Sequence, residues 1–366
     1  MDDRIKILEL LSSKKNVLLM GAPGTGKSRV MNEVAEVFIN GGTRLAQPSH
    51  VPGAGIPIPA VAAPTGLDLA MLKKTNRKVF RTTLHQNSKY RDFLTGIVPE
   101  LGAGGGYRIN EGILYRANEF AKQDNSAALL IIDELNRGPA IEVFGGSIVA
   151  IESDKRLNDD NTTAPATQYF EISNPVDGQM VEYAFSPNLY ILAAMNQADA
   201  SVAPLDVAFM RRWQSYQLKP NYDVLYENFG VDRTQPIPTA CSTVSDVYSV
   251  AIHALEKINK LICIGRGKEY QLGQGVFLST KPKDGTMSSA LQFTSEAWSM
   301  IYAHIEELFF GDSISIGYLV NANSPLSPYK LEELYFAGET KSVLTCSDID
   351  ASNIFNLYQA IAGRDQ

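Results

Sequence analysis

The chain has 366 residues, 33 Lys and Arg against 40 Asp and Glu, a formal net charge of −7, and is 45% hydrophobic and 20% charged. This balance excludes a generally basic, nucleic-acid-coating surface and gives no reason for disorder, while the length allows two packed cores. No apolar run approaches the roughly 18 residues that span a bilayer, and Met1-Asp2-Asp3-Arg4 lacks the basic-then-apolar layout of a signal peptide, so a cytoplasmic protein with no membrane partner is expected.

The first element is the apolar run Asn16–Met20, read as a buried strand. It leads into Gly21-Ala22-Pro23-Gly24-Thr25-Gly26-Lys27-Ser28, and the helical pattern Arg29–Phe38 follows. A glycine-rich turn between strand and helix presents backbone N–H groups to the α- and β-phosphates of a nucleotide. Lys27 would reach the β- and γ-phosphates, and the Ser28 hydroxyl would ligate Mg²⁺. The glycines are needed because a Cβ there would meet the phosphate or block the turn. With Gly near 7% of residues, the pattern arises by chance in about one chain in a hundred of this length. The predicted nucleotide contacts are therefore residues 21–28, with Arg29 at the start of the helix.

Residues 43–67 hold Pro48, Pro52, Gly53, Gly55, Pro57, Pro59, Pro64 and Gly66, which forbid a regular helix or central strand. They read as a mobile loop or, being apolar at Val51, Ile56, Ile58 and Val61, as a lining loop. Lys73, Lys74, Arg77, Lys78 and Arg81 read as a solvated helix end feeding the strand Val79–Leu84, with a basic stripe for nucleic acid as the sharper alternative.

A helix over Glu111–Lys122 leads to the strand Ala128–Ile132, which ends in Asp133 and Glu134. Carboxylates at the C-terminal end of a buried strand lie where open α/β sheets bind ligands. Asp133 would hold Mg²⁺ through water, and Glu134 would act as general base on the attacking water. A helix over Ile141–Glu152 and an insertion at 157–187 follow, the latter a hairpin candidate with Asn174-Pro175 and Asp177-Gly178 at its turn. The next strand, Leu189–Ala194, runs on to Asn196, which reads as a sensor of the γ-phosphate and lytic water, or simply as a turn residue. Arg211 and Arg212 end a short helix before the strand Trp213–Leu218. One of them, Arg212 preferred, could serve a neighbouring subunit as an arginine finger, or the pair could only complement the helix dipole.

Alternating strands and helices up to residue 219 describe a helix-covered parallel sheet. After Pro220 the pattern becomes helical. Val247 to Ile262 keep a 3.6-residue period behind possible caps at Ser245 and Asp246, and further helices are expected at Thr294–Phe310 and Asp348–Ala362. Residues 220–366 thus read as a smaller, mostly helical domain. Cys241, Cys263 and Cys346 are too widely spaced for a disulfide framework or zinc site and read as buried small hydrophobes.

In this order and spacing the motifs resemble the AAA+ NTPases, and within them the McrB-type motor subunits of modification-dependent restriction systems. Asp133-Glu134-Leu135-Asn136-Arg137 is similar to the family's Asp-Glu-Ile-Asn-Arg, and Met195-Asn196-Gln197-Ala198-Asp199 to its Met-Asn-Thr-Ala-Asp. The run Ile151-Glu152-Ser153-Asp154-Lys155-Arg156 resembles its Glu-Pro-Asp-Lys-Arg segment. Leu84-His85-Gln86 with Tyr90, Asp92 and Phe93, then Tyr107 to Gly112, match the segment after its second strand.

The resemblance implies an α/β sheet ordered 5-1-4-3-2, a helical lid, and a homo-oligomeric, hexameric ring with Mg²⁺ and ATP or GTP between subunits. In such a ring Arg211 and Arg212 reach a neighbour's nucleotide, and Asn136 and Arg137 lie beside the catalytic acid. It also implies a nuclease-bearing, McrC-like partner that the motor drives, with DNA reached indirectly. The sequence departs from the family at Leu272-Gly273-Gln274-Gly275-Val276-Phe277, where relatives carry Gly-His-Ser-Tyr-Phe. Only about 15 residues precede the first strand, so no separate DNA-reading domain is expected before it. Asn196-x-x-Asp199 superficially matches a guanine-reading motif, but a γ-phosphate sensor lies far from the base. A MoxR-type remodelling chaperone and a nucleotide-gated scaffold are the competing readings.

Overall fold

A computed structural model describes residues 2–41, 67–100, 105–198, 205–278 and 284–363, which fall into two compact units. The first takes in the chain to residue 218 apart from 22–26, and the second runs from 219 and includes 22–26. The Pro/Gly-rich stretch at 43–66 and Asp199 lie outside the described residues.

The first unit is built on five parallel strands: β1 (Asn16–Gly21), β2 (Asn76–Thr83), β3 (Ser126–Asp133), β4 (Leu189–Met195) and β5 (Gln214–Leu218). Their order across the sheet is 5-1-4-3-2, as the family resemblance implies. The strands read as continuous apolar runs because both faces are covered. Val17, Leu19, Leu129, Ile131, Leu192 and Ala194 face a core with α1 (Asp3–Lys14) and α2 (Lys27–Asn40). Leu18, Leu130, Ile132, Ile191 and Ala193 face the opposite core, with α3 (Ile113–Ala121).

Three local expectations need correction. The strand expected at Val79–Leu84 as a buried run is an edge strand that starts at Asn76 and is half-exposed along its length. Its register, Asn76↔Ser126 to Thr83↔Asp133, explains the early start: β3 offers a full-length pairing edge to which Arg77 and Lys78 can bond through backbone alone. The basic residues there do not form one stripe. Arg77 binds the carbonyls of Ile39, Leu72 and Lys74, Lys73 pairs with Asp68, and Lys78 lies over Phe80.

The helix expected at Ile141–Glu152 stops at Phe144. Gly145 takes φ +50°, and a short 3₁₀ turn follows. A Cβ on Gly145 would stand 2.7 Å from the Tyr90 ring, so glycine is needed for backbone angle and space together. The insertion at 157–187 does contain a hairpin, Phe170–Ser173 paired with Met180–Tyr183 around the expected turn. A second hairpin, Thr95–Glu100 with Gly106–Glu111, has no counterpart in the sequence reading.

The second unit packs three helices, α4 (Val244–Gly265), α5 (Met287–Leu308) and α6 (Ile354–Ala362), around one core that includes Leu255, Ile258, Trp298, Ile301 and Leu357. α4 begins with a capping box in which Thr243 and Asp246 exchange side-chain and backbone hydrogen bonds. The cap therefore sits two residues before Ser245. A hairpin, Tyr329–Phe336 with Glu339–Cys346, adds strands to a unit read as helical, and the Trp298 indole N–H donates to the Tyr329 hydroxyl at 3.1 Å. The cysteines are not buried hydrophobes: Cys241 and Cys346 are exposed and Cys263 is partly so, because they occupy a loop, a strand end and the outer side of α4. Among the described residues no helix is long and apolar enough to cross a membrane.

Candidate functional site

The C-terminal ends of β1, β3 and β4 are adjacent, with Met20 opposite Met195 and Ile132 opposite Ala193. The chain leaves β1 at Gly21 and enters α2 at Lys27, and between them Gly24 and Gly26 take φ +75° and +89°, values that favour glycine. Thr25 Oγ1 donates to Ala22 O at 2.8 Å, closing the turn internally. In the first unit Lys27 Nζ folds back to donate to Gly21 O at 2.8 Å. Burial lowers its pKa, and the facing carboxylates of Glu134 and Asp133 act the other way.

Asp133 ends β3. Its Oδ2 accepts from Ser28 Oγ at 3.2 Å, and its Oδ1 accepts from the Glu134 N–H at 3.0 Å. Glu134 adopts φ 53°, ψ 49°, a left-handed conformation that costs a non-glycine residue about 1–3 kcal/mol and collects at functional sites. The turn carries its carboxylate to Asn196, whose Nδ2 donates to Oε1 at 3.1 Å and Oε2 at 3.4 Å. Arg137 Nε donates to Oε2 at 3.1 Å. Asn136 Nδ2 donates to the Asn196 carbonyl at 2.9 Å, which ties the turn after β3 to the end of β4. Asn136 Oδ1 and Asn196 Oδ1 are buried acceptors with no partner among the described residues, a cost that a bound donor would remove.

Lys27, Ser28, Asp133, Glu134, Asn136 and Asn196 thus share one cluster. Three further sequence-predicted residues stand apart from it. Arg29 Nε pairs with Glu33 one turn along α2, at 2.8 Å. Arg212 is 8% exposed, its Nε 3.1 Å from a Glu152 carboxylate oxygen, and it also donates to Ala208 O. Arg211 is exposed.

The contacts of several other residues were not foreseen from the sequence, and one buried network lies at the N-terminal ends of the strands, away from the cluster. Asn16, wholly buried at the start of β1, donates to Ile151 O at 2.6 Å and Arg212 O at 3.3 Å, and accepts from Arg156 at 2.7 Å. Arg156 in turn donates to the carbonyls of Ile151, Ser186 and Leu189. An open recess of about 260 Å³ beside Ser28 and Asp133 is lined by Arg81, Thr82 and Thr83 of β2. The backbone around His85 packs on the turn after Glu134, since a Cβ on Gly138 would meet His85 O at 2.7 Å. Among the described residues no group of His, Cys, Asp and Glu is arranged to hold a metal by itself.

A parallel sheet of this order, with a glycine turn after β1 and acid, amide and lysine gathered at one edge, defines an AAA+ nucleotide-binding domain. The AAA domain family of the dynein-related subfamily matches residues 66–213, a stretch that begins after the glycine turn. The chain is 28% identical over 311 residues to the "Type IV methyl-directed restriction enzyme EcoKMcrB subunit" of Escherichia coli (strain K12), covering 84% of this chain and 56% of that protein. It is 28% identical over 223 residues to the "Type II restriction enzyme BsuMI component YdiS" of Bacillus subtilis (strain 168), covering 57% and 58%. The chain thus spans a little over half the length of these curated relatives. The solved structure of C. elegans PCH-2 aligns at a TM-score of 0.35 with 12% identity, over 81% of this chain and 67% of that one, too loosely to add to the topology. Together with the strand order and the glycine turn, these matches support an McrB-type AAA+ protein.

Proposed function

We propose that this chain hydrolyses a nucleoside triphosphate, ATP or GTP, as the motor of a ring that drives a partner subunit. The observation that carries the reading is the seating of Glu134. Its carboxylate is fixed by Asn196 and Arg137, one residue from an aspartate that is hydrogen-bonded to the loop serine.

In this reading the turn 21–28 holds the phosphates and Lys27 neutralises the terminal ones. The hard oxygens of the Ser28 hydroxyl and Asp133 carboxylate, already 3.2 Å apart, suit Mg²⁺, which when bound would offset charge on the β- and γ-phosphates. Glu134 takes a proton from the attacking water. That water keeps one O–H, and Asn136 Oδ1 and Asn196 Oδ1 are the buried acceptors available for it. Arg211, exposed at the end of its helix, is the better candidate to reach a neighbouring subunit's nucleotide, since Arg212 is held by Glu152. Residues 220–366 act as the lid of the domain formed by 1–219, and the ring is a homo-oligomer, hexameric as the family resemblance implies.

The printed names of the two relatives, a restriction-enzyme subunit and a restriction-enzyme component, support a partner that carries nuclease activity, McrC-like, in cytoplasmic defence against foreign DNA. DNA would then be reached through that partner. Phosphate release from ATP and from GTP by the purified chain, with and without the product of the neighbouring gene, tests the reading. Lys27→Ala should lose both binding and turnover. Glu134→Gln should keep binding and lose turnover by at least about a hundredfold, and full turnover in that variant would overturn the proposal.

A further inference from the structure

The segment Gly273-Gln274-Gly275, where the sequence departs from the McrB pattern, lies in the same unit as residues 22–26. Three consecutive carbonyls of the glycine turn accept from three consecutive residues of this segment. Gly273 N–H donates to Pro23 O at 2.8 Å, Gln274 Nε2 to Thr25 O at 3.1 Å, and Gly275 N–H to Gly24 O at 2.9 Å. Gln274 is buried, and its Oε1 accepts from the Asn221 N–H at 3.0 Å, so the amide is locked at both ends. The approach leaves no room for a Cβ at Gly273. A Cβ on Gly273 would lie 2.0 Å from the Gly24 carbonyl carbon and 2.2 Å from Thr25 N, although the backbone of Gly273 (φ −77°) would accept any residue.

We infer that this strap is the device that presets the anion cradle, with Gln274 its positioning residue. In a trans peptide the C=O of one residue and the N–H of the next point in opposite directions. Drawing the carbonyls of residues 23, 24 and 25 toward the strap therefore turns the N–H groups of 24, 25 and 26 to the other side, which is the arrangement an anion nest needs. The Thr25 N–H rests meanwhile on Ala22 O at 3.4 Å, a long contact that a phosphate oxygen can displace. Sequence, geometry and use agree here. Glycine flanks the amide on both sides because the backbone it donates into lies too close for a Cβ at 273 and leaves only a tight fit, 3.0 Å from Gly24 O, at 275.

The inference rests on reading 21–28 as a phosphate loop, and the test separates the two. Gln274→Met keeps the buried volume and removes both amide hydrogen bonds. Gly273→Ala pushes the strap off the turn. Affinity for a fluorescent nucleoside diphosphate is measured at equilibrium, with thermal unfolding as the control for folding, and KM and kcat are measured with triphosphate. Gln274→Met should weaken diphosphate binding about tenfold, the equivalent of one net hydrogen bond. The loss should fall on KM, with kcat held within twofold, because the cradle grips ground and transition states alike. Gly273→Ala should lose at least as much affinity. A wild-type chain that binds no diphosphate overturns both readings. Wild-type binding with unchanged affinity in folded Gln274→Met overturns the strap alone, as does a loss confined to kcat.

Discussion

Asn196 Nδ2 donates to both carboxylate oxygens of Glu134, at 3.1 and 3.4 Å. The acid sits in a left-handed turn after β3 and the amide at the end of β4, so their meeting follows from two neighbouring strands ending level. Asn196 carries no charge, and in the proposed mechanism it is the group that aims the Glu134 carboxylate.

Asn196→Ala should therefore lower turnover about 10–100-fold while leaving diphosphate affinity within twofold, since it removes an orienting hydrogen bond and leaves the phosphate loop intact. Asn196→Asp should lose more, because a carboxylate facing Glu134 repels it. Single-turnover phosphate release beside equilibrium nucleotide binding checks both variants, and equal losses in binding and turnover would count against an aiming role.

Arg156 is wholly buried, and among the described residues no carboxylate pairs with it. It satisfies the carbonyls of Ile151, Ser186 and Leu189 and the side chain of Asn16. Burial lowers its pKa, but the surrounding acceptors favour the charged donor form. Arg156→Leu strands those acceptors and should destabilise the first unit by about 3–5 kcal/mol. Because Asn16 also binds Arg212 O, the same variant should loosen the arginine end of the sheet. Urea denaturation gives the first effect. Hydrogen exchange at Trp213 gives the second.

Lys15 offers the clearest pH dependence. Its ammonium lies over the Tyr190 ring, 4.7 Å from the centroid, and burial pulls its pKa down to about 8. The unfolded chain, with the ordinary lysine value near 10.4, then binds more protons than the folded one between these two values. Stability must rise with pH over that window, and below about pH 8 the full penalty of burying the charge is present. Lys15→Met should stabilise the protein by about 1–3 kcal/mol at pH 7 and by almost nothing at pH 10.5. Chemical denaturation at the two pH values decides it, and a gain that persists at high pH would assign the effect to packing.

How legible the sequence was depends on whether chemistry or topology sets each contact. Lys27, Ser28, Asp133, Glu134 and Asn196 could be read because each ends a strand or begins a helix in a recognisable pattern. The helix α1 could have been found as well. Asp2 caps it by accepting from the Arg4 N–H, and Ile7, Leu8 and Leu11 keep helical spacing. The Asn16–Arg156–Arg212 network could not, because its acceptors are mostly backbone carbonyls, which any sequence supplies. The hairpin Tyr329–Phe336 with Glu339–Cys346 stayed hidden for a different reason. Its first strand is exposed beyond Tyr329, so no alternation of apolar and polar residues marks a buried face.

The two arginines before β5 can be separated by experiment. Arg212 is nearly buried, pairs with Glu152 and binds Ala208 O, so Arg212→Ala should act first on stability. Arg211 is exposed, so Arg211→Ala should leave the thermal midpoint in place and lower kcat by about 10³-fold if it completes a neighbour's site. A residue acting in trans has a signature that a structural one lacks. Subunits carrying Lys27→Ala keep Arg211 but cannot hold nucleotide, and subunits carrying Arg211→Ala hold nucleotide but offer no finger. Each is inactive alone. Mixed in one ring, a Lys27→Ala subunit supplies its arginine to an Arg211→Ala neighbour, and turnover should return in proportion to the fraction of such junctions. Titrating one variant into the other should give a curve with its maximum at an intermediate ratio. No recovery at any ratio would mean that Arg211 does not act across a subunit boundary.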